Sequence, residues 1–563
     1  MSKEKIIIYQ VLPRLFGNKR ATRKYNGSIE ENGSGKFNQF TNRALASIKD
    51  MGYTHIWYTG VLAHASKTDY TQYGIPEQYP EIIKGNAGSP YAIRDYYDVD
   101  PDLAVKVENR MGEFENMVNR THQNGMGVII DFVPNHLARE YESVMKPEGV
   151  TDFGANDDTE VQFSSSNNYY YVTHKSLDLS QLPKCDEAMG YTENPAKVTG
   201  NDAFTHQPSE NDWYETVKLN YGVNYNDSRR GHFDPIPDTW HKMKDILMYW
   251  AKKDVDGFRC DMAEMVPLEF WKWVIPIVKA DYPKMLFIAE IYNKDAYRSF
   301  LSTDAFDYLY DKVGLYDMVR DVACGYRPSS DITFALSEVG DIQSKMLNFL
   351  ENHDEQRIAS DYFLGDAHRG MAAMILTATV NTNPVMVYFG QELGERGMDE
   401  EGFSGKDGRT TIFDYWSIDK IVRWNNGENW NNDRLTDEEQ ILKNRYTALL
   451  QFCNREKAIS EGKFYDLMYA NYENMEFNST KQFAFLRGDG ESLFLVVVNF
   501  DDSSATVKVN VPDDALSFFE TERELLKQAT PMLNSDKSAV KCSNKGFIEV
   551  EVEAHAGEIY KLH

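Results

Sequence analysis

Four short segments of the chain each run from apolar residues into side chains that can do acid–base or nucleophilic chemistry. They are 131–136 (DFVPNH), 257–261 (GFRCD), 287–290 (FIAE) and 349–354 (FLENHD). One such segment predicts little, because a lone carboxylate at a strand end is more often a helix cap or a member of a salt bridge. Four in series, each closing on carboxylate, His, Asn or Arg side chains, predict one active site assembled from several strand ends.

Three carboxylates in these segments have the neighbours that a retaining glycosidase needs. Such an enzyme uses one ionised carboxylate as nucleophile and one protonated carboxyl as acid, about 5–5.5 Å apart. Arg259 lies two residues before Asp261, so it points to the same side of its strand and would keep Asp261 ionised. Glu290 follows an apolar run, which favours a protonated carboxyl able to donate a proton. Asp354, beside His353, could bind sugar hydroxyls and stabilise positive charge at the reacting carbon.

The elements that must position these residues alternate regularly. Amphipathic helices, with apolar residues along one face, are followed by short apolar strands. Eight strands are predicted, at 6–12, 54–58, 127–131, 255–260, 286–290, 306–310, 346–350 and 385–389. Helices alternating with strands predict a parallel sheet, and eight units predict a (β/α)8 TIM barrel of the α/β class, whose active site lies at the carboxyl ends of the strands.

Two parts of the chain depart from this alternation. The segment 137–237, rich in Asn, Asp, Ser and Tyr, is predicted to be an excursion domain between strand 3 and helix 3 that walls the substrate cleft. From about 460 onward, β-branched strands separated by turns predict a C-terminal antiparallel β-sandwich domain. We therefore predict a catalytic barrel of residues 1–136 and 238–458, the excursion domain 137–237, and a C-terminal all-β domain, 459–563.

Length and charge limit the classes of function. The chain has 563 residues, enough for two or three domains, and its formal charge of −27 disfavours nucleic acid and anionic membranes as partners. The sequence contains no run of about 18 apolar residues, so no membrane span is predicted. The opening apolar run is too short for a signal peptide, and the five cysteines form no metal spacing. These features predict a cytoplasmic protein, or a secreted one if a leader has been removed.

The four segments resemble the signature regions of the α-amylase superfamily of retaining glycoside hydrolases, in the order and spacing of that family. The resemblance extends to 9–11 (YQV) at the first strand and to 388–392 (YFGQE) at the eighth, so it covers nearly the whole chain. It implies a β/α barrel with an excursion domain after strand 3 and a C-terminal β-sandwich. It also implies an α-glucan or maltooligosaccharide substrate.

The resemblance assigns roles to particular residues. Asp261 would be the nucleophile, Glu290 the general acid/base and Asp354 the stabiliser of the transition state. The side chains implied to contact the sugar beside the scissile bond are Arg259, His136, His353 and Tyr91, the last by stacking on the ring.

Three further residues receive roles outside that first set. Asp131 would be a structural partner of Arg259. Arg357 would either grip a neighbouring sugar or form a plain surface salt bridge. Asn135 matches a position that binds Ca²⁺ in many amylases, so calcium is the cofactor that the resemblance implies; the full shell of 6–8 oxygens would need further ligands from the excursion domain.

Two departures from the family pattern leave the reaction open. After the nucleophile, 261–265 (DMAEM) lacks the Lys-His of many endo-acting amylases, and Tyr91-Ala92 lacks the Asp that follows this Tyr in many exo-acting α-glucosidases. The predicted function is hydrolysis of α-1,4-glucosidic bonds through a glycosyl-enzyme intermediate. The alternatives are an α-glucan transglycosylase or a maltose/trehalose-type isomerase using the same carboxylates, an exo-acting α-glucosidase, and a non-catalytic barrel that serves as a binding subunit.

Overall fold

Eight parallel strands close into a barrel within residues 4–302, 305–403, 405–534 and 537–563, which the computed structural model describes. The strands are β1 (Ile7–Val11), β2 (His55–Tyr58), β3 (Gly127–Phe132), β4 (Gly257–Cys260), β5 (Leu286–Ala289), β6 (Tyr308–Tyr310), β7 (Met346–Phe349) and β8 (Val385–Tyr388). Each strand pairs with the next, and β8 pairs with β1 to close the ring. The predicted (β/α)8 barrel is confirmed.

Amphipathic helices cover the outside of the barrel. The principal helices are α1 (Asn42–Asp50), α2 (Arg110–Gln123), α3 (Asp238–Ala251), α4 (Leu268–Asp281), α5 (Tyr297–Leu301), α6 (Asp317–Ala323), α7 (Ile332–Glu338), α8 (Met371–Thr379), α9 (Asp419–Asn425) and α10 (Asp437–Arg455). Local signals begin two of them: the Thr41 side chain caps α1, and Thr436 with Glu439 forms a capping box at α10. Every residue of α8 is buried, because this helix contacts both the barrel and the C-terminal domain.

The inside of the barrel is filled by large apolar side chains that support the site above them. This inner cluster consists of Ile8, Trp57, Ile129, Ile288, Tyr310, Tyr316, Leu347, Phe349 and Met386, each 2% exposed or less. Such a packed interior, rather than a pore, is the rule for barrels of eight strands. The cluster gives the polar residues at the strand ends a rigid floor.

Two excursions rise from the barrel on the side of the carboxyl ends. The one after β3 is tied to the barrel by an antiparallel pair, His136–Ala138 with Thr216–Lys218. A second excursion, after β2, contains the antiparallel pair Leu62–His64 with Ile93–Val99 and was not predicted. The boundaries of the excursion domain at 137 and 237 stay a prediction, as does the division at 459.

The C-terminal domain is built from antiparallel strands, as predicted. Its six-stranded sheet has the order β9 (Lys463–Asp466), β10 (Gln482–Gly488), β11 (Leu493–Asn499), β16 (Ala556–Leu562), β13 (Gln528–Pro531) and β14 (Val540–Lys541). A second sheet pairs β12 (Ala505–Asn510) with β15 (Phe547–Val552). Among the described residues, no helix has both the length and the apolar character needed to cross a membrane.

A buried arginine joins the C-terminal domain to the barrel. Arg487 on β10 is 0% exposed, and burial lowers its pKa to about 9. Its guanidinium donates to five backbone carbonyls, those of Thr379, Ala458, Ile459, Gly462 and Lys463. Since Thr379 ends α8, the guanidinium ties a barrel helix directly to the sheet.

We expect Arg487→Met to destabilise the protein by about 3 kcal/mol or more, because it leaves buried carbonyls without donors. Arg445→Met is the matched control: Arg445 on α10 also reaches the C-terminal domain, but through an exposed pair with Glu553 that is 3.5 Å long. That change should cost less than about 1 kcal/mol. Thermal unfolding of the two variants checks the prediction, and equal losses would contradict it.

A buried carboxyl links the first and last strands of the barrel. The hydroxyl of Tyr9 on β1 donates to Glu392 Oε1, just after β8, at 2.7 Å. Burial raises the pKa of Glu392 from 4.5 to about 7. Because the folded chain holds this proton more tightly than the unfolded chain, the stabilisation is complete below pH 4.5 and is lost as the pH rises through 7.

We therefore expect Glu392→Gln to flatten the dependence of stability on pH. Glutamine still accepts the hydrogen bond from Tyr9 but does not ionise. Between pH 5 and pH 8 the wild-type chain should lose on the order of 2 kcal/mol more stability than the variant. Urea unfolding of both proteins at the two pH values measures the difference, and parallel losses would refute this origin of the pH dependence.

Candidate active site

A cavity of about 340 Å³ lies at the carboxyl ends of the barrel strands. Six of the residues predicted from the sequence line it: Tyr91, His136, Asp261, Glu290, His353 and Asp354. The structure thus brings together residues that are up to 263 positions apart, since 354 − 91 = 263. Arg259 lies directly beneath this group, whereas Asn135 and Arg357 do not line the cavity.

Arg259 holds two of the carboxylates at once. Its Nη1 donates to Asp261 Oδ1 at 2.7 Å, and its Nη2 is 2.6 Å from Glu290 Oε1. Asp131, the register partner of Arg259 across β3 and β4, is 3.6 Å from Nη1. Both carboxylates therefore lie against one guanidinium group, with Asp131 as a more distant third partner.

The floor of the site holds this guanidinium in place. Arg259 lies over the rings of Trp57 at 5.2 Å and of Tyr310 at 5.5 Å, and its Nε donates to the Tyr310 hydroxyl at 3.2 Å. A cation over aromatic faces gains electrostatic attraction while it is shielded from water. The direction of the guanidinium is therefore set by the inner cluster of the barrel as well as by the carboxylates.

The surroundings of Asp261 disfavour its ionised form, contrary to the prediction that Arg259 keeps this carboxyl ionised. Burial raises its pKa well above the ordinary value; Arg259 opposes this rise and Glu290 adds to it. The sequence predicted Asp261 and Asp131 as partners of Arg259, whereas the structure places Glu290 against this cation as well. Asp261 Oδ2 is buried and has no hydrogen-bond partner among the described residues.

Glu290 is held by polar groups as well as by the apolar strand that precedes it. The Tyr292 hydroxyl donates to Oε1 at 2.7 Å, and the backbone N–H of Met262 donates to Oε2 at 2.8 Å. Tyr292 was not predicted; it lies two residues after Glu290, in the irregular segment that follows β5. Met262 has a φ of +42°, a left-handed conformation that is uncommon outside glycine. This backbone geometry aims the N–H of Met262 at Glu290.

His353 connects the first strand with the wall of the cavity. Its Nδ1 lies 2.9 Å from Gln10 Nε2, and its Nε2 lies 2.7 Å from the Tyr91 hydroxyl and 3.1 Å from Asp354 Oδ2. Burial and Arg259 lower the pKa of His353 well below its ordinary range, so the ring is neutral. Since Gln10 Nε2 is a donor, Nδ1 is the acceptor and Nε2 carries the hydrogen.

Tyr91 and Asp354 complete the rim of the cavity. The ring of Tyr91 stacks on that of His353, with centroids 5.2 Å apart and planes at 24°. The Asp354 side chain is 44% exposed, in contrast to the buried Asp261 and Glu290. Partial burial and the charge of Glu290 raise the pKa of Asp354. An accessible carboxyl at this place can bind the hydroxyl groups of an entering sugar.

Arg357 does not meet the prediction that it contacts a sugar or lies on the surface. It is 0% exposed and pairs with Glu351 at 2.8 Å, with its Nε donating to Thr410 Oγ1 at 2.8 Å. Its guanidinium lies 4.0 Å over the Tyr388 ring. We correct the assignment: Arg357 holds the loops after β7 and β8 together. Sequence proximity to Asp354 was misleading because the chain turns inward after Asp354.

Asn135 lies behind His136 and is already fully engaged. Its Oδ1 accepts a hydrogen bond from the Lys218 ammonium, and its Nδ2 donates to the Gly200 carbonyl at 2.9 Å. Calcium needs 6–8 oxygen ligands, and here the amide oxygen is held by a cation of the chain itself. No group of three or more His, Cys, Asp or Glu side chains in the described ranges could hold a metal ion. The residues around Asn135 therefore do not fit calcium.

The excursions supply cavity residues that sequence reasoning missed. Trp213 lies 5.2 Å from the His136 ring, and Lys84 pairs with Glu215 at 3.0 Å on the cavity wall. Segments 83–86 and 210–215 also form part of a larger groove of about 690 Å³ beside the cavity. Only the high aromatic content hinted at such residues, because irregular segments carry no periodic pattern that predicts where a side chain points.

Comparison with known proteins agrees with this architecture. The family model for the α-amylase catalytic domain matches residues 10–445. The family model for the α-amylase C-terminal all-β domain matches residues 472–562. One curated relative, α-amylase 3 of Dictyoglomus thermophilum, is 24% identical over 396 residues, which is 66% of this chain and 68% of the relative.

Solved structures share the fold over almost the whole chain. The maltogenic α-amylase AmyB of Thermotoga neapolitana has a TM-score of 0.63 at 21% identity and covers 99% of this chain and 98% of its own. The α-amylase of Geobacillus thermoleovorans, solved in complex with acarbose, has the same TM-score and coverage at 18% identity. With the family model matching most of the sequence, the protein belongs to the α-amylase family and is a glycoside hydrolase.

Proposed function

We propose that this enzyme hydrolyses α-1,4-glucosidic bonds in α-glucans or maltooligosaccharides with retention of configuration at the anomeric carbon. The observation that carries the proposal is the pair Asp261 and Glu290 bound to one guanidinium at the bottom of a cavity of about 340 Å³. Contacts of 2.7 and 2.6 Å to the two terminal nitrogens of this guanidinium bring both carboxylates close together. That proximity supports a retaining mechanism, in which the two carboxyl groups lie about 5 Å apart.

In the first step, a carboxylate oxygen of Asp261 attacks the anomeric carbon as the bond to the leaving sugar breaks. Glu290 transfers its proton to the glycosidic oxygen, so the leaving sugar departs as a neutral alcohol. In the second step Glu290 takes a proton from water, and the resulting oxygen nucleophile releases Asp261 from the covalent intermediate. Each carboxyl returns to its starting state, as a general acid/base mechanism requires.

The residues around the pair serve the same reaction. Arg259 balances the negative charge that moves between Asp261 and Glu290, and it does so without reorganising, because its position is fixed by the barrel floor. The neutral His353 presents Nε2–H toward Tyr91 and Asp354. We assign Asp354 to sugar hydroxyls beside the reacting carbon and the rim formed by Tyr91 to the sugar ring.

An α-glucan substrate is supported by the family and by a solved relative that binds acarbose. A transglycosylase remains the second candidate, since the two reactions share the covalent intermediate and differ only in whether water or a sugar attacks it. The observation that favours transfer is Met262, an apolar side chain that lines the cavity directly after the nucleophile. An apolar contact there would shelter the intermediate from water and suit a sugar acceptor.

We expect Asp261→Asn to abolish turnover of maltooligosaccharides, because the amide is a poor nucleophile. Asp311→Asn is the matched control: Asp311 is also a buried aspartate at a barrel strand end, but it accepts a hydrogen bond from the Leu315 backbone N–H at 2.8 Å and does not line the cavity. The control should keep most of the wild-type kcat. Reducing-sugar release measures both; near-normal turnover by Asp261→Asn would refute the proposed nucleophile.

Products formed from maltotriose separate hydrolysis from transfer. If water is the main acceptor, glucose and maltose are the early products, as we expect. If a sugar is the acceptor, oligomers longer than maltotriose appear before glucose and maltose accumulate. Chromatography of samples taken in the first few per cent of conversion decides, and early longer oligomers would replace the hydrolase proposal with the transglycosylase.

A further inference from the structure

Lys218 places a positive charge at the junction of the barrel and the excursion after β3. The residue is 3% exposed and lies on the short strand Thr216–Lys218, opposite His136. Its Nζ donates to Asn135 Oδ1, lies 2.8 Å from Asp202 Oδ1, and lies 3.3 Å from the Met265 carbonyl oxygen. The three oxygens come from the end of β3, from the excursion and from the turn after β4.

Oxygen atoms surround this ammonium and supply its counter-charge without any added ion. A lysine ammonium has three N–H donors and no acceptor, and three oxygens surround it here. Asp202 supplies the negative charge that a buried cation needs. We propose that the Lys218 ammonium is the resident cation of this junction, in place of a metal ion, and that it positions His136 and Glu290 for the reaction.

Lys218 positions His136 through Asn135. Because the ammonium can only donate, it fixes the amide with Oδ1 toward Lys218, which leaves Nδ2 to donate to the Gly200 carbonyl and to His136 Nδ1, 3.0 Å away. With Nδ1 as the acceptor, His136 carries its hydrogen on Nε2. Burial, with smaller contributions from Lys218 and Lys84, lowers the pKa of His136 to about 3, so the imidazole ring is neutral.

Lys218 also positions Glu290, through the turn after the nucleophile. Lys218 binds the carbonyl of Met265, whose own N–H donates to the Met262 carbonyl at 2.9 Å. Met262 has the left-handed φ of +42° and donates its N–H to Glu290 Oε2. A non-glycine residue keeps such a conformation only where its surroundings enforce it. Lys218 thus secures the turn that aims a donor at Glu290, and it is a positioning residue, not a catalytic one.

Lys242 provides an unusually close control within the same chain. Its Nζ also contacts one Asp carboxylate, one Asn amide oxygen and one backbone carbonyl: Asp238 Oδ2 at 2.8 Å, Asn168 Oδ1 at 2.8 Å and Asp152 O at 3.0 Å. Lys242 joins the excursion to α3 and does not line the cavity. The two lysines therefore match in chemistry and differ in their connection to the active site.

The first test asks whether the folded enzyme needs a metal at this junction. The quantity measured is the Tm of the wild-type protein in excess EDTA and in millimolar CaCl₂, so the test does not depend on enzyme activity. With the ammonium as resident cation, we expect the two values to agree within about 1 °C, because no ion binds to the folded state there. A Tm that falls in EDTA and recovers when Ca²⁺ is added would overturn the replacement of the metal.

The second test separates positioning from stability. Lys218→Met and Lys242→Met should both lower Tm, but only Lys218→Met should lower kcat, by about 10-fold or more, with a much smaller change in KM and an altered pH–rate profile. Equal kcat in the two variants would overturn the positioning role. If Lys218→Met does not fold, Lys218→Arg serves instead, because it keeps a cation but changes its shape. Lys218→Arg should fold without Ca²⁺ and have a reduced kcat. A wild-type kcat in Lys218→Arg would likewise overturn the positioning role.

The kinetic test rests on the proposed function, whereas the Tm test does not. If the wild-type enzyme has no turnover on α-glucans, the proposed function fails and the EDTA comparison still decides on the cation. If wild-type turnover is normal and Lys218→Met matches Lys242→Met in kcat, the proposed function stands and the positioning role fails.

Discussion

The site depends on one buried guanidinium that two carboxylates share. Removing Arg259 from water is costly, and only close partners on several sides offset that cost. Asp261 and Glu290 bind its terminal nitrogens, Asp131 lies across from it on β3, and aromatic rings lie beneath it. The same contacts that make the arginine tolerable bring two acids together, so the stability of the barrel and the chemistry of the cavity have a common origin.

Around this centre, neighbouring polar groups orient the reactive side chains. Gln10 sets the tautomer of His353, and the N–H of Met262 sets the direction of Glu290. These supports come from the ends of different strands and turns, which meet only when the barrel closes. Preorganised donors of this kind lower a barrier because they need no rearrangement when charge develops in the transition state.

Sequence periodicity predicted the elements whose burial alternates regularly. The barrel strands were placed to within two residues, since apolar runs between amphipathic helices have few other interpretations. Weaker elements were missed: β9 is only partly buried and has little contrast between its two faces, and β14 is two residues long. The excursion after β2 was also missed, although it carries Tyr91 and Lys84 into the cavity wall.

The sequence by itself determined the identity and order of the carboxylates, because each follows a strand that local pattern reveals, and the barrel topology brings strand ends together. Tertiary structure alone decided that Arg259 is divided between Asp261 and Glu290, that Arg357 turns inward, and that the ammonium of Lys218 occupies the oxygen-lined position behind Asn135. The physical reason is that these outcomes depend on distances between side chains from separate loops, and no local periodicity encodes such distances.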